Sequence, residues 1–453
     1  MIALAKEPQA RFKNIKAFAT AFVQAYTAVQ HTETAEIWDN ASLQHNASED
    51  AQEAHPQKRH SRRTFAIGLS VLGGTGLVVG GTLAWKFLLQ RSQAPLHAKR
   101  PAQPPHLTPT ATPSGPGTTL YTYHGHEGVV VTTLAWSNES MRIASAGDNV
   151  QIWDAQTGKL DNVYRNGYDN PSAQVKMAWS PNNRYISAGI TTLDNETDLL
   201  NAAIYVWEVS TGQVVYTYRQ IQQGSQITAL AWSPDSTSIA TATDAWNQSI
   251  QVWKALTGSL VASYTGHTNP VNSLSWSPDG TWIASSDGYV PNRGSGTVHV
   301  WEAATGQMSL IYHGHPDPVA AVVWSPNGQL IASAGGTDDR TQASNPDNNT
   351  VQIWKPTIDK PVLIYHGHTG PVKAVAWSPT SAFVVSGSSN NYVQNTSALV
   401  QVWNATTGQT LLSYMGHNFH SGDRVSAVAW SPDGKLIASA GGVATTVQVW
   451  KAV

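Results

Sequence analysis

Residues 312–336 read YHGHPDPVAAVVWSPNGQLIASAGG, and after a polar interval the unit continues with TVQIW at 350–354. The runs VAAVVW, IASAG and VQIW have the alternation and β-branched content of short strands. The Gly-His and Ser-Pro-Asn-Gly pieces between them are turn chemistry. With the strand that ends in Tyr, each unit reads as four strands. The unit recurs from Thr118 to Val453: its first tryptophan falls at Trp136, Trp179, Trp232, Trp276, Trp324, Trp377 and Trp430, at intervals of 43 to 53 residues. Its second falls at Trp153, Trp207, Trp253, Trp301, Trp354, Trp403 and Trp450, so seven pairs account for fourteen of the 18 tryptophans. A repeat of this length decides the architecture.

Seven such units, with motifs in this number and order, resemble the WD-repeat family. The resemblance implies an all-β, seven-bladed propeller over residues 118–453, arranged radially so that no long sheet edge stays open. Among the seven repeats the dipeptide that names the family occurs only at Trp153-Asp154; the other six read Trp-Glu, Trp-Lys or Trp-Asn. Closure is also legible. The last unit ends just after its third strand, Val447 to Trp450, while Leu120-Tyr121-Thr122-Tyr123 precedes the first Gly-His without a blade of its own. The N-terminal strand should therefore complete the last blade.

Five Gly-His pairs place His126, His267, His315, His368 and His417 at equivalent turns. They lie in different blades, so they do not converge as three or four ligands of one metal ion, and no metal or cofactor is expected. The family resemblance implies instead a buried network joining each histidine to a strand serine and a tryptophan, with Ser145 and Trp153, and Ser333 and Trp354, as the equivalents here. Blades two and three lack the histidine, at Gly167-Tyr168 and Gly224-Ser225. Their networks should be looser.

The interval between the second and third strands is short in blade one but long at Ile190 to Asn201, Asp287 to Gly296, Gly336 to Asn349 and Ser388 to Ala398. Insertions on one face mark a binding face. Trp246, Tyr289 and Tyr392 lie in such polar loops and are the candidate contacts for a protein, peptide or glycan ligand. Clustered acids at Asp194, Glu196 and Asp198, and at Asp338, Asp339 and Asp347, are read as solvated turn residues, because they lack the spacing of a calcium loop. No Gly-x-Ser-x-Gly elbow, His-Glu-x-x-His or phosphate loop occurs, so an enzyme is not expected.

The region before the repeats has another character. Residues 1–118 hold 12 Lys+Arg against 7 Asp+Glu, leaving 15 against 22 for the rest. A net-negative repeat region without basic clusters lacks the footprint of nucleic-acid binding. Zero cysteines exclude disulfides and thiolate chemistry. Thr64 to Trp85 runs 22 residues without a charge between Arg63 and Lys86. As a helix it is about 33 Å long, enough for a bilayer core of about 30 Å, so one transmembrane helix is expected over 64–86. Lys58, Arg59, Arg62 and Arg63 on its N-terminal side favour a cytoplasmic N-terminus and an extracytoplasmic propeller. Gly76 and Gly80 form a GxxxG that would let two such helices pair as a homodimer. Residues 31–63 read as a disordered linker and 87–117 as a Pro-rich stalk.

Phe12, Ile15, Phe18, Phe22 and Tyr26 recur at helical spacing within residues 1–30, too little for a domain. With Ala3, Leu4, Lys6, Pro8, Arg11 and Phe12, this segment resembles the C-terminal end of a bacterial serine/threonine protein kinase domain. The kinase phosphate loop, strand lysine, catalytic loop and metal-binding Asp are missing, so the chain itself transfers no phosphate. The order of segments implies the sensor part of a truncated receptor-type serine/threonine kinase. The alternative is a stand-alone membrane-tethered scaffold that organises other proteins.

Overall fold

The computed structural model describes residues 115–453 apart from 127, 166–173, 194–199, 220–223, 245–249, 289–295, 338–346, 390–399, 418–423 and 442–445. The expected N-terminal helix, linker, membrane span with Gly76 and Gly80, and most of the stalk lie outside the described residues. Among the described residues no helix is long and apolar enough to cross a membrane.

The described chain forms 28 strands in seven four-stranded antiparallel sheets. Blade one is β2 (Thr133–Trp136), β3 (Arg142–Ala146), β4 (Val150–Asp154) and β5 (Leu160–Tyr164). Blades two and three span 174–218 and 227–264. Blade four is β14 (Val271–Trp276), β15 (Trp282–Asp287), β16 (Val298–Glu302) and β17 (Met308–Tyr312). Blade five is β18 (Val319–Trp324), β19 (Ile331–Gly335), β20 (Val351–Trp354) and β21 (Pro361–Tyr365). Blade six spans 372–414. Blade seven is β26 (Val425–Trp430), β27 (Leu436–Gly441) and β28 (Thr446–Lys451), completed by β1 (Thr119–Tyr123), in the order β1-β28-β27-β26. β1 runs antiparallel to β28, with Thr122 opposite Gln448 and Tyr123 opposite Val447. First strands of successive blades touch, and β2 meets β26, so the blades form a ring closed by the N-terminal strand.

Burial explains the residue pattern of each strand. The second and third strands lie between neighbours within the blade and between blades across it, so IASAG of β19 and VQIW of β20 are buried throughout. Sheets covered on both faces lose the polar alternation of a half-exposed strand. Small residues there leave room for the large ones: Ala284, Val298, Val300 and Tyr312 of blade four pack against Val319, Val322, Trp324, Ile331 and Trp354 of blade five. The core is thus a series of layers between blades. Outer strands instead run from exposed to buried along their length, with their first residues facing water, as in Met308 and Ser309 of β17.

One boundary differs from the sequence reading. The interval 190–201 was expected as loop, yet strands run through Tyr185–Leu193 and Leu200–Glu208 and pair out to Leu193 and Leu200. Ile190, Thr191 and Thr192 carry the β-branched character that extends the hairpin.

Candidate functional site

The Gly-His turns enter their blades from one end, and each histidine folds down beside the second strand. In blade one His126 Nε2 lies 2.8 Å from Ser145 Oγ, and Trp153 Nε1 donates to the same oxygen at 3.0 Å. His315 and Trp354 meet at Ser333 at 2.7 and 3.0 Å. His368 and Trp403 share Ser386, and His417 and Trp450 share Ser439, at the same spacings to within 0.1 Å. All five histidines are buried, and burial pushes His315 and His368 down to about 3 and His417 to about 4. A tyrosine from the preceding outer strand stacks on each tryptophan; Tyr312 and Trp354 centroids are 4.3 Å apart at 3°. The Tyr312 hydroxyl donates to Gln352 Oε1 at 2.6 Å, and Gln352 Nε2 returns to the Gly314 carbonyl at 3.0 Å. In this column the serine, tryptophan, tyrosine and glutamine side chains each serve a neighbour, the usual condition for burying them, whereas Nδ1 of His126 and of His368 in the equivalent columns has no hydrogen-bond partner among the described residues. In blades two and three, without the histidine, Ser187 receives Trp232 of the next blade at 2.8 Å and Thr241 receives Trp253 at 3.4 Å.

Blade four is the exception, and sequence reasoning passed over it. His299 stands where five of the other six third strands carry Gln, at 151, 251, 352, 401 and 448, and blade two carries Tyr205, and Asp287 closes β15. His267 Nδ1 lies 2.9 Å from Asp287 Oδ2 and its Nε2 lies 2.7 Å from Ser285 Oγ. His299 stacks on His267 with centroids 3.9 Å apart, bonding Tyr264 through Nδ1 at 2.6 Å and Thr297 through Nε2 at 3.0 Å. Burial first, then the neighbouring His267, pushes His299 down to about 4. Burial works against ionisation of Asp287, yet the bonds from His267 and the Thr297 amide outweigh it and hold the carboxyl below its usual range. An ionised carboxylate only accepts, so His267 Nδ1 donates to Asp287.

Two chemical readings of this cluster fail on geometry. The ligand atoms of His267, Asp287 and His299 lie within 4.8 Å of one another. A metal ion binds in the plane of an imidazole, however, and two rings stacked at 21° cannot aim both nitrogens at one point. Ser285, His267 and Asp287 also follow the order of a nucleophilic triad. Ser285 is wholly buried and its oxygen already accepts from Trp301 Nε1 at 3.1 Å, so no substrate reaches it.

Trp246, Tyr289 and Tyr392, the expected ligand contacts, lie outside the described residues. The described surface offers two features at the opposite ends of the strands, where the sequence reading placed nothing. Exposed apolar residues begin the outer strands of blades two to six: Val214, Val215, Leu260, Val261, Met308, Val362 and Leu411 are 38–60% exposed. A cavity of about 360 Å³ lies where the turn of blade four, Ser277 to Asp279, meets the turns of blade five at Pro326 to Gly328 and Pro356 to Thr357.

Comparison with known proteins follows this geometry. The family model described as WD domain, G-beta repeat matches residues 117–154, 258–302, 306–355, 359–394 and 408–451. These five stretches carry the five Gly-His turns. The model of the anaphase-promoting complex subunit 4 WD40 domain matches 201–279, from the third strand of blade two through blade three and past the first strand of blade four. The chain is 34% identical over 122 residues to WD repeat-containing protein slp1 of Schizosaccharomyces pombe, covering 26% of this chain and 22% of that protein. It is 32% identical over 116 residues to B-type cell cycle switch protein ccs52B of Medicago truncatula, covering 25% and 22%. It is 31% identical over 105 residues to apoptotic protease-activating factor 1 of Homo sapiens, covering 22% and 8%. The chain thus spans about a fifth or less of the length of these relatives.

These relatives overturn the expectation of a sensor for a truncated receptor-type kinase. They are named for WD repeats, a cell-cycle switch and protease activation, not for receptor kinases. That expectation came from the order of segments before residue 118, and the repeats themselves carry nothing specific to a kinase. From its repeats, their closure and these matches, the chain belongs to the WD-repeat family.

Proposed function

We propose that this chain is a non-enzymatic binding protein whose propeller holds other proteins on its outer rim. The observation that carries the reading is the recurrence of exposed Val, Leu and Met at the start of five outer strands. Scattered exposed apolar residues are ordinary, but exposed apolar residues at the first or second position of the outer strand in five successive blades make a surface suited to protein contact. Its apolar character favours a protein over a glycan. The relatives' names, with their cell-cycle switch proteins, support regulation by binding rather than catalysis. Substituting Val214→Lys, Leu260→Lys and Leu411→Lys together should leave the thermal midpoint within about 2 °C, since exposed changes alter stability by roughly 0.5 kcal/mol or less each. The same variant should lose most of the proteins that copurify quantitatively with the wild type from its own cells. Recovery of an unchanged set would overturn the reading.

Placement in the cell is an independent proposal. Residues 64–85 anchor the chain as a single span with the N-terminus cytoplasmic, supported by their uncharged length and the basic cluster before them. Alkaline carbonate should leave the full chain in the membrane pellet, and its release would refute the anchor.

A further inference from the structure

The cavity between blades four and five lies where two devices found elsewhere in the ring are both missing. The first joins the turns of adjacent blades. In blades one, two, three and six the left-handed residue of the first turn is Ser140, Asn183, Ser236 or Ser381, with φ of 58–62°. Its side chain accepts the amide of a neighbouring turn: Asp433 to Ser140, Asn138 to Asn183, Asn182 to Ser236 and Asn327 to Ser381, at 2.6–3.1 Å. In blade five that residue is Gly328, φ 72°, which has no side chain to reach the turn of blade four.

The second device pins each blade's two turns together. The residue two after the buried tryptophan donates its amide to the first turn: Ala155 to Met141, Val209 to Arg184, Ala255 to Thr237, Ala303 to Thr281, Ala405 to Ala382 and Ala452 to Lys435, at 2.8–3.0 Å. Blade five places Pro356 there, without an N–H to give. Glycine holds the same turn position in blades four and seven, as Gly280 and Gly434, but only blade five combines it with a proline, and together the two leave room for a ligand.

Among the described residues, Asp279 is the only charged one lining the cavity. Around it stand half-buried Trp282 and the apolar rings of Pro278, Pro326 and Pro356, with Asn327 at the wall. We propose that this cavity takes an arginine side chain from an extended segment of a partner protein, the guanidinium lying against Trp282 and paired with Asp279. Arginine fits because its planar cation both stacks on an indole and forks onto a carboxylate, which a lysine ammonium does not. Asp279 accepts from Ser277 Oγ at 2.5 Å and from the Thr281 amide at 3.0 Å, so the carboxylate is held in one orientation. Exposed Met308 and Ile358, each beside a lining residue, extend the apolar surface for flanking residues of the segment.

The inference rests on the reading of the ring as a protein-binding platform, and its test uses residues away from the rim variant. The full chain is titrated with acetyl-Pro-Arg-Pro-amide and with its citrulline counterpart, followed by ligand-observed NMR. Citrulline keeps the shape and removes the charge. The arginine peptide should bind in the millimolar range and the citrulline peptide about tenfold more weakly. Asp279→Asn should weaken the arginine peptide by about the same factor, whereas Asp433→Asn, in the matching turn of blade seven, should not. Gly328→Ser, which supplies the side chain found at four other junctions, should close the cavity and remove binding without lowering the thermal midpoint. Equal binding of the two peptides, indifference to Asp279→Asn, or no binding at about 10 mM would overturn the assignment. If the peptide fails while the rim variant still loses its partners, the cavity reading falls and the binding role stands.

Discussion

Deleting residues 118–123 should lower the thermal midpoint by roughly 10 °C or more, or abolish the cooperative transition. The segment is the outer strand of blade seven, but its side chains also cover blade one. Tyr123 stacks on Trp153 with centroids 4.4 Å apart and donates to Gln151 Oε1 at 2.6 Å. The Tyr121 hydroxyl donates to the Ala155 carbonyl at 2.6 Å, and both rings sit in one cluster with Ile143 and Trp153 of blade one and Val447 and Val449 of blade seven. Removing two buried aromatic rings costs about 3–5 kcal/mol each by analogy with large-to-Ala changes. At about 2 °C per kcal/mol or somewhat less for a domain of this size, the shift is of order 10–20 °C before the newly opened edge of β28 is considered. Tyr123→Phe keeps the ring and removes only one hydrogen bond, so it should cost about 1 kcal/mol. A deletion that melts cooperatively at the wild-type temperature would contradict the closure.

Acid should destabilise the ring well before its carboxylates titrate. His315, His368 and His417 remain neutral in the fold down to about 3, 3 and 4, whereas in the unfolded chain a histidine takes its proton near pH 6.5. Between those limits the unfolded state holds more protons than the native one. Stability therefore falls as pH drops from about 6.5, by at most about 1.4 kcal/mol per pH unit for each ring. Protonation costs this much because the rings are enclosed: His315 has Ser333 at one nitrogen and no carboxylate among its hydrogen-bond partners, unlike His267 beside Asp287. The double variant His315→Gln and His368→Gln should be less stable at pH 7, yet lose stability more slowly between pH 6.5 and 4.5. The difference in slope is up to about 2.7 kcal/mol per pH unit. Denaturant melts across that range measure it, and parallel slopes for variant and wild type would refute the buried-neutral account.

The architecture was legible because it is written seven times. Paired tryptophans set the number of blades, and an unpaired strand at Leu120 to Tyr123 disclosed how the last is completed, since strand pairing follows from periodicity and count. The His315, Ser333 and Trp354 column was equally readable through its family resemblance. What escaped the sequence were departures from the repeat in single blades. His299 in place of Gln and Asp287 at the end of β15 are visible as irregularities, but only the fold stacks one imidazole on another. Gly328 and Pro356 look like ordinary turn residues. Their effect depends on bonds supplied by other side chains and amides at the remaining junctions, so no local reading gives it. The loops with Trp246, Tyr289 and Tyr392 attracted attention by composition, and composition names no contact. The membrane span is legible by length alone and belongs to a part of the chain whose structure is not described.

The closed ring is the claim on which the rest depends, and the absence of cysteine from the sequence makes it directly measurable. Thr122 of β1 faces Gln448 of β28 across an antiparallel pair, within the span a disulfide bridges. The chain carrying Thr122→Cys and Gln448→Cys, oxidised and digested without reduction, should yield one linked peptide joining residues 122 and 448 of the same molecule, in near-complete amount. Free thiols at both positions in the folded protein, or linkage only between separate chains, would show that the N-terminal strand does not close the propeller.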